Sequence, residues 1–181
     1  MTTVYYSTPY RQGDIGGGIN DFISLLPDDA WVCIRDADTM FLTSGAQRQI
    51  GEIANSNPAY DVIGCMTNRL RSPSQTFMRD DMFDCADIGR HQKVAEMLER
   101  QRWCELSPMP HGEAIAGMFM LFRVSLWRLI KFQKKNVYFD KRFCEAVVSN
   151  GGRLGLANGI YLFHMYRWGH PDPFNYTEHL K

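Results

Sequence analysis

The sequence lacks an excess of charge of either sign, a close pair of cysteines and a long apolar run. Twenty Lys and Arg balance twenty Asp and Glu, so the formal net charge is zero. The general attraction for nucleic acid that a basic chain carries is therefore missing, and only a local basic patch could supply it. The five cysteines (Cys33, Cys65, Cys85, Cys104 and Cys144) are scattered and form no C-x-x-C pair. That argues against a disulfide framework and a structural zinc site, and for buried free thiols in a reducing compartment. No stretch approaches the roughly 20 apolar residues that a bilayer span needs. Residues 1–11 lack the charged-then-apolar order of a signal peptide. A cytoplasmic protein with no membrane span is expected. Internal repeats and low-complexity segments are also missing.

What is there is ordinary globular composition, 45% hydrophobic and 22% charged over 181 residues. That suits one compact domain covering 1–181. Val4–Ser7 reads as a strand, followed by the glycine-rich loop Gly13–Gly18 and a helix over Ile19–Leu26. Ala30–Ile34 is a buried, β-prone run that ends in Arg35-Asp36-Ala37-Asp38. Thr43 or Ser44 would cap a helix over Gly45–Asn55, and Tyr60–Met66 is again strand-like. This strand–helix alternation predicts an α/β fold with a mostly parallel sheet flanked by helices. Ligands of such sheets bind beyond the carboxyl ends of the strands, which is where the two aspartates fall. Residues 67–112 read as an excursion that covers the site or decorates the surface, with one helix near Gln92–Arg102. Gly117–Arg123 resumes a strand, Ser125 would cap a helix to about Phe132, and Asp140–Asn150 forms a helix stopped by Gly151-Gly152. Leu154–Ala157 and Ile160–His164 read as two closing strands with Asn158-Gly159 as a hairpin turn.

With 13 aspartates in the chain, chance alone yields about one D-x-D, so the pattern matters only through its position. In an extended segment residues two apart point the same way, so Asp36 and Asp38 can face one cation. Carboxylate oxygens suit Mg²⁺ or Mn²⁺, which keep positions open for substrate phosphates. The alternative is a solvated turn after a strand. His164 ends an apolar strand and could complete a mixed carboxylate–histidine site if that strand returns beside Asp38. Arg167, Lys141 or Arg142 could neutralise phosphate charge, or be plain surface cations. Glu145 could deprotonate an acceptor hydroxyl, or pair with Lys141 one helical turn away. The glycine loop fits neither the dinucleotide fingerprint nor the P-loop. Its backbone could still approach a pyrophosphate, with Asp14 and Asn20 as polar contacts.

Four segments in this order resemble the GT-A glycosyltransferases, particularly the family 2 type. Residues Asp29–Thr43 resemble the strand and metal turn "D-W-[apolar]-x-D-A-D", and Gly117–Arg123 resembles the strand lining the acceptor side. Phe139–Glu145 resembles "F-D-x-x-F-x-E-D", and Gly151–Leu154 through His164–Arg167 resembles "G-G-x-[apolar] … H-x-x-R". The resemblance covers about residues 19–168 and implies a Rossmann-related GT-A fold. It implies transfer of a sugar from a nucleotide-diphosphate donor, UDP-linked first, to an acceptor hydroxyl with Mn²⁺ or Mg²⁺. Asp38 and His164 would ligate the metal, and Asp36 would bind it through water or touch the ribose. Glu145 would be the base of an inverting reaction, although Ala146 stands where many family members carry a second acid. The segment preceding the aspartates is short for the nucleotide-binding half of a GT-A fold, so a second subunit could complete it. Glycan, lipid-linked sugar, protein side chain and modified nucleobase are all open as acceptors. The rival readings are a nucleotidyltransferase or metal-dependent phosphohydrolase, and a sugar-nucleotide-binding module without turnover.

Overall fold

The computed structural model describes residues 2–68, 70, 72–77, 82–83 and 85–165. Among these residues seven strands form one sheet. They are β1 (Val4–Ser7), β2 (Trp31–Arg35), β3 (Thr39–Phe41), β4 (Val62–Thr67), β5 (Leu106–Pro108), β6 (Phe119–Arg123) and β7 (Leu154–His164). Their order is β1-β2-β6-β4-β7-β3, with β5 also on β7. The helices are α1 (Ile15–Ile23), α2 (Ala46–Asn55), α3 (Ile88–Gln101), α4 (Val124–Leu129) and α5 (Phe139–Ser149), besides a 3₁₀ turn at Pro73–Gln75.

β1, β2, β4 and β7 share one direction, but reversed β6 lies between β2 and β4, so the sheet is mixed. The period-2 alternation of its strands sorts the core into two faces. Val32 and Ile34 of β2 and Met120 and Phe122 of β6 pack with Ile19, Ile23, Trp127, Phe143 and Val147 of α1, α4 and α5. Trp31, Cys33, Phe119 and Leu121 face the other way, onto Ile50, Ile53 and Ala54 of α2. Ala95 and Leu98 of α3 pack on Tyr161 of β7. Helices thus cover both faces, as expected of an α/β protein.

Several sequence expectations are corrected. β7 is one strand of 11 residues, not a hairpin. Asn158-Gly159 lies in a bulge: Cys65 pairs with Ala157 but Met66 with Tyr161. The bulge is fixed from outside, because Gln49 Nε2 donates to Gly159 O at 3.0 Å and Asn158 N–H donates to Glu105 O at 2.9 Å. α1 begins at Ile15, inside the glycine stretch, because Asp14 caps it by accepting from Gly17 N–H. Gly16 belongs in that helix because a side chain there would run into the Gln133 carbonyl. The helix at α4 starts at Val124 and ends at Leu129, with no Ser125 cap. Gly45, with no side-chain cap, precedes α2. β3 was not anticipated; it is three residues long and exists through pairing with β7. Within the excursion, β5 joins the sheet and α3 packs on β7. No helix among the described residues is long and apolar enough to cross a membrane.

Candidate metal centre

β2 delivers Asp36 at the carboxyl edge of the sheet, and the turn 36–39 carries the chain straight into β3. Its main chain is held at several points. Asp36 N–H donates to Met118 O at 3.2 Å, Thr39 Oγ1–H to Asp36 O at 2.6 Å and Met165 N–H to Asp38 O at 2.9 Å. β3 runs antiparallel to the end of β7 with Thr39 opposite His164. This pairing brings a residue from late in the chain beside the two acids.

Asp36, Asp38 and His164 each offer a ligand atom, and these atoms lie within 4.8 Å of one another. His164 Nε2 is 3.5 Å from Asp38 Oδ1. A small divalent cation with ligands near 2.1 Å sets opposite ligands about 4 Å apart, so modest side-chain rotation would close the trio on one ion. Two carboxylate oxygens and an imidazole nitrogen suit Mn²⁺ or Mg²⁺ better than a thiolate-seeking metal. The imidazole is 3% exposed and Asp38 46%, so the histidine forms the floor and Asp38 faces outward.

The electrostatics separate the two acids. Burial pushes the Asp36 carboxyl up to about 6, attraction to His164 opposes the shift, and Asp38 and Asp140 add to it. Burial also acts upward on Asp38. There the hydrogen bond and charge of His164, with a backbone N–H, outweigh it and hold the carboxyl below its usual value.

Asn68 supports the histidine. Its Oδ1 accepts from His164 N–H at 2.8 Å and its Nδ2 donates to His164 O at 3.2 Å. β4 ends at Thr67 opposite Leu162, so the Asn68 side chain acts as one more peptide rung and holds His164 past the end of the ladder. Nothing in the local sequence marks Asn68, since its partner is fixed by tertiary pairing.

The remaining candidates are not brought to this trio. Asp14 Oδ1 accepts from Gly17 N–H at 2.9 Å and Lys135 N–H at 2.7 Å, joining α1 to the segment before α5. Those bonds, led by the Lys135 N–H, hold its carboxyl below the ordinary value against some upward pull from desolvation. Asn20 is buried, donating to Phe132 O at 2.8 Å and accepting from Trp127 Nε1–H at 2.7 Å and Phe132 N–H at 3.1 Å. Glu145 takes the ion-pair alternative: its carboxylate lies on the surface, 2.7 Å from Arg142 and 4.0 Å from Lys141. Arg167 lies outside the described residues.

The acid of α5 that acts on the centre is Asp140. Five residues separate it from Glu145, which turns the two about 140° apart around the helix. Asp140 Oδ2 accepts from Gly117 N–H at 2.8 Å, next to Met118, whose carbonyl accepts from Asp36 N–H. Burial raises its own carboxyl, with the N–H groups of Gly117 and Lys141 pulling the other way. Nothing in the local sequence marks it above Glu145, since its partner Gly117 is brought to it by the fold. No protein-family model matches the chain, and comparison with curated proteins finds no match.

Proposed function

We propose that this chain is a divalent-metal-dependent glycosyltransferase of the GT-A type, moving a sugar from a nucleotide-diphosphate donor, UDP-linked first, to an acceptor hydroxyl. The observation that carries the reading is the convergence of Asp36, Asp38 and His164 at the carboxyl edge of β2. A strand end, a bend and the terminus of β7 all contribute to it, and the outward-facing Asp38 leaves one side open for a diphosphate. Reversed β6 between parallel-running neighbours and helices on both faces are compatible with such a fold.

In this mechanism Asp38 and His164 would hold the cation directly, and Asp36 would hold it directly or through water. The cation would neutralise charge developing on the departing diphosphate, the main electrostatic demand of the step. The fixed main chain around Asp36, Asp38 and His164 keeps the ligand set in place before substrate arrives, so little reorganisation is needed. Glu145 is not assigned the role of base, because its carboxylate is turned to solvent between two cations.

A thermal-shift panel of UDP-, GDP- and dTDP-sugars with and without Mn²⁺ tests the reading. One nucleotide should stabilise the protein only with metal, and Asp38→Ala should abolish that shift. Slow release of free UDP from the stabilising sugar would support transferase chemistry. Pyrophosphate release from nucleoside triphosphates would instead point to a nucleotidyltransferase, and metal-dependent binding without release or transfer to a binding module. No shift with any member of the panel would sink the proposal.

A further inference from the structure

We propose that Asp140 is a positioning residue for the metal turn, acting through the backbone segment Ala116–Met118 that leads into β6. Three distant parts of the chain meet on those three residues. Gln75 Oε1, from the 3₁₀ turn of the excursion, accepts from Ala116 N–H at 3.0 Å. Asp140 Oδ2, from the first turn of α5, accepts from Gly117 N–H at 2.8 Å. Met118 O in turn accepts from Asp36 N–H at 3.2 Å. The segment is thus gripped from two sides while it seats the main chain of the first acid of the D-x-D turn.

Packing makes the grip tight. A Cβ on Gly117 would lie 2.8 Å from Phe139 Cζ and 3.4 Å from Asp140 Oδ2, so the backbone passes against α5 with no room for a side chain. Gln75 is fully buried, and its Nε2 also donates to Cys65 O at 3.2 Å, which ties the same segment to β4. Asp140 Oδ1 accepts from Lys141 N–H at 2.7 Å, so each of its oxygens is engaged and its orientation is fixed. The remaining link is short: Gly117 cannot shift without moving Met118, and Met118 O is the acceptor for Asp36 N–H. Asp140 therefore sets where Asp36 sits without touching a ligand itself. Outer groups that orient metal ligands in this way are worth about 10–100-fold in metal affinity.

The test compares Asp140→Ala with Asp140→Asn in the full chain, reading amide exchange by NMR and Mn²⁺ affinity by calorimetry. The asparagine retains one oxygen able to accept from Gly117 N–H while giving up the acceptor for Lys141 N–H; the alanine has neither. In Asp140→Ala, exchange at Gly117 and Asp36 should speed up while α2 and β4 keep their protection, and Mn²⁺ should bind about tenfold or more weaker. Asp140→Asn, which keeps the Gly117 bond, should restore the larger part of both. Unchanged exchange at Asp36 in Asp140→Ala, or an asparagine variant as loose as the alanine one, would overturn the proposal. Should Asp140→Ala fail to fold, Gly117→Ala pushes the same segment away from α5 and must loosen Asp36 likewise. The affinity arm rests on the metal-centre reading, but the exchange arm does not. If the wild-type protein binds no Mn²⁺, the proposed function fails while exchange still decides the role of Asp140.

Discussion

Replacing Asn68 by alanine should damage both the fold and the metal centre, and the size of each effect follows from the geometry. Asn68 is fully buried and supplies two hydrogen bonds to the main chain of His164, at 2.8 and 3.2 Å. Each intramolecular bond contributes about 1 kcal/mol net, rising to about 1–3 kcal/mol when its loss strands a buried polar group. Alanine removes both at a site closed to water, so the expected destabilisation is about 2–4 kcal/mol. Urea unfolding should show a lower midpoint with an unchanged slope, because the surface exposed on unfolding barely differs. The imidazole of His164 would also be held less firmly beside Asp38, and Mn²⁺ binding should weaken about 10–100-fold. Asn68→Asp keeps the acceptor for His164 N–H but sets a buried carboxylate oxygen against His164 O, so at neutral pH it should be no more stable than the alanine variant. An alanine variant within about 0.5 kcal/mol of wild type and with unaltered Mn²⁺ affinity would refute the idea that this amide extends the ladder to the histidine.

Four further outcomes are expected. Asp38→Ala should weaken Mn²⁺ binding beyond the about 10–100-fold typical of supporting residues, and excess chelator should abolish sugar transfer by the wild type; both are read by calorimetry and UDP release. Glu145→Gln should leave transfer and stability nearly unchanged, since exposed ion pairs contribute about 0–1 kcal/mol, and a large loss of kcat would restore Glu145 as the base. Burial lowers the His91 pKa despite the Cys85 carbonyl and Asp87, and with help from Arg90. The fold therefore prefers the neutral ring: stability is full above the unfolded value near 6.5 and declines as pH falls below it. Urea midpoints at pH 7.5 and 5.0 should show that decline, and His91→Gln should flatten it. Gly159→Ala drives a methyl group into the Arg102 carbonyl and the Gln49 side chain, so the melting temperature should drop by an amount equivalent to about 1–3 kcal/mol.

The parts of the centre visible in the sequence are those written in local pattern. The apolar run Ala30–Ile34 marks a buried strand, so the edge position of Asp36 and Asp38 follows from their place after it. Ile160–His164 is likewise apolar, and it is the strand whose end lies beside them. The parts not visible depend on partners far away in the chain. β3 is too short to have a period and is a strand only because β7 is there to pair with it. Asn158-Gly159 has hairpin chemistry, yet the bonds from Gln49 and Glu105 hold it as a bulge and β7 runs on. Glu145 and Asp140 both sit on an amphipathic helix, and only the packing against Gly117 tells which of them turns inward. Asp14 and Asn20 are polar residues around a glycine loop. Their side chains bond the segment from Trp127 to Lys135, a requirement of packing that no local motif records.

The position of β7 has a consequence for the order in which the protein becomes competent. The two acids are made well before His164, which ends the last strand among the described residues. At about 5–20 residues per second, the acids wait some 6–25 s for their partner. During that interval β4 lacks a parallel neighbour and β3 and β5 have no strand to join. The nascent chain can thus gather α1, β1 and β2 but cannot bring Asp36, Asp38 and His164 together. With the proposed metal centre, cation-dependent protection from protease would appear only after β7 has docked.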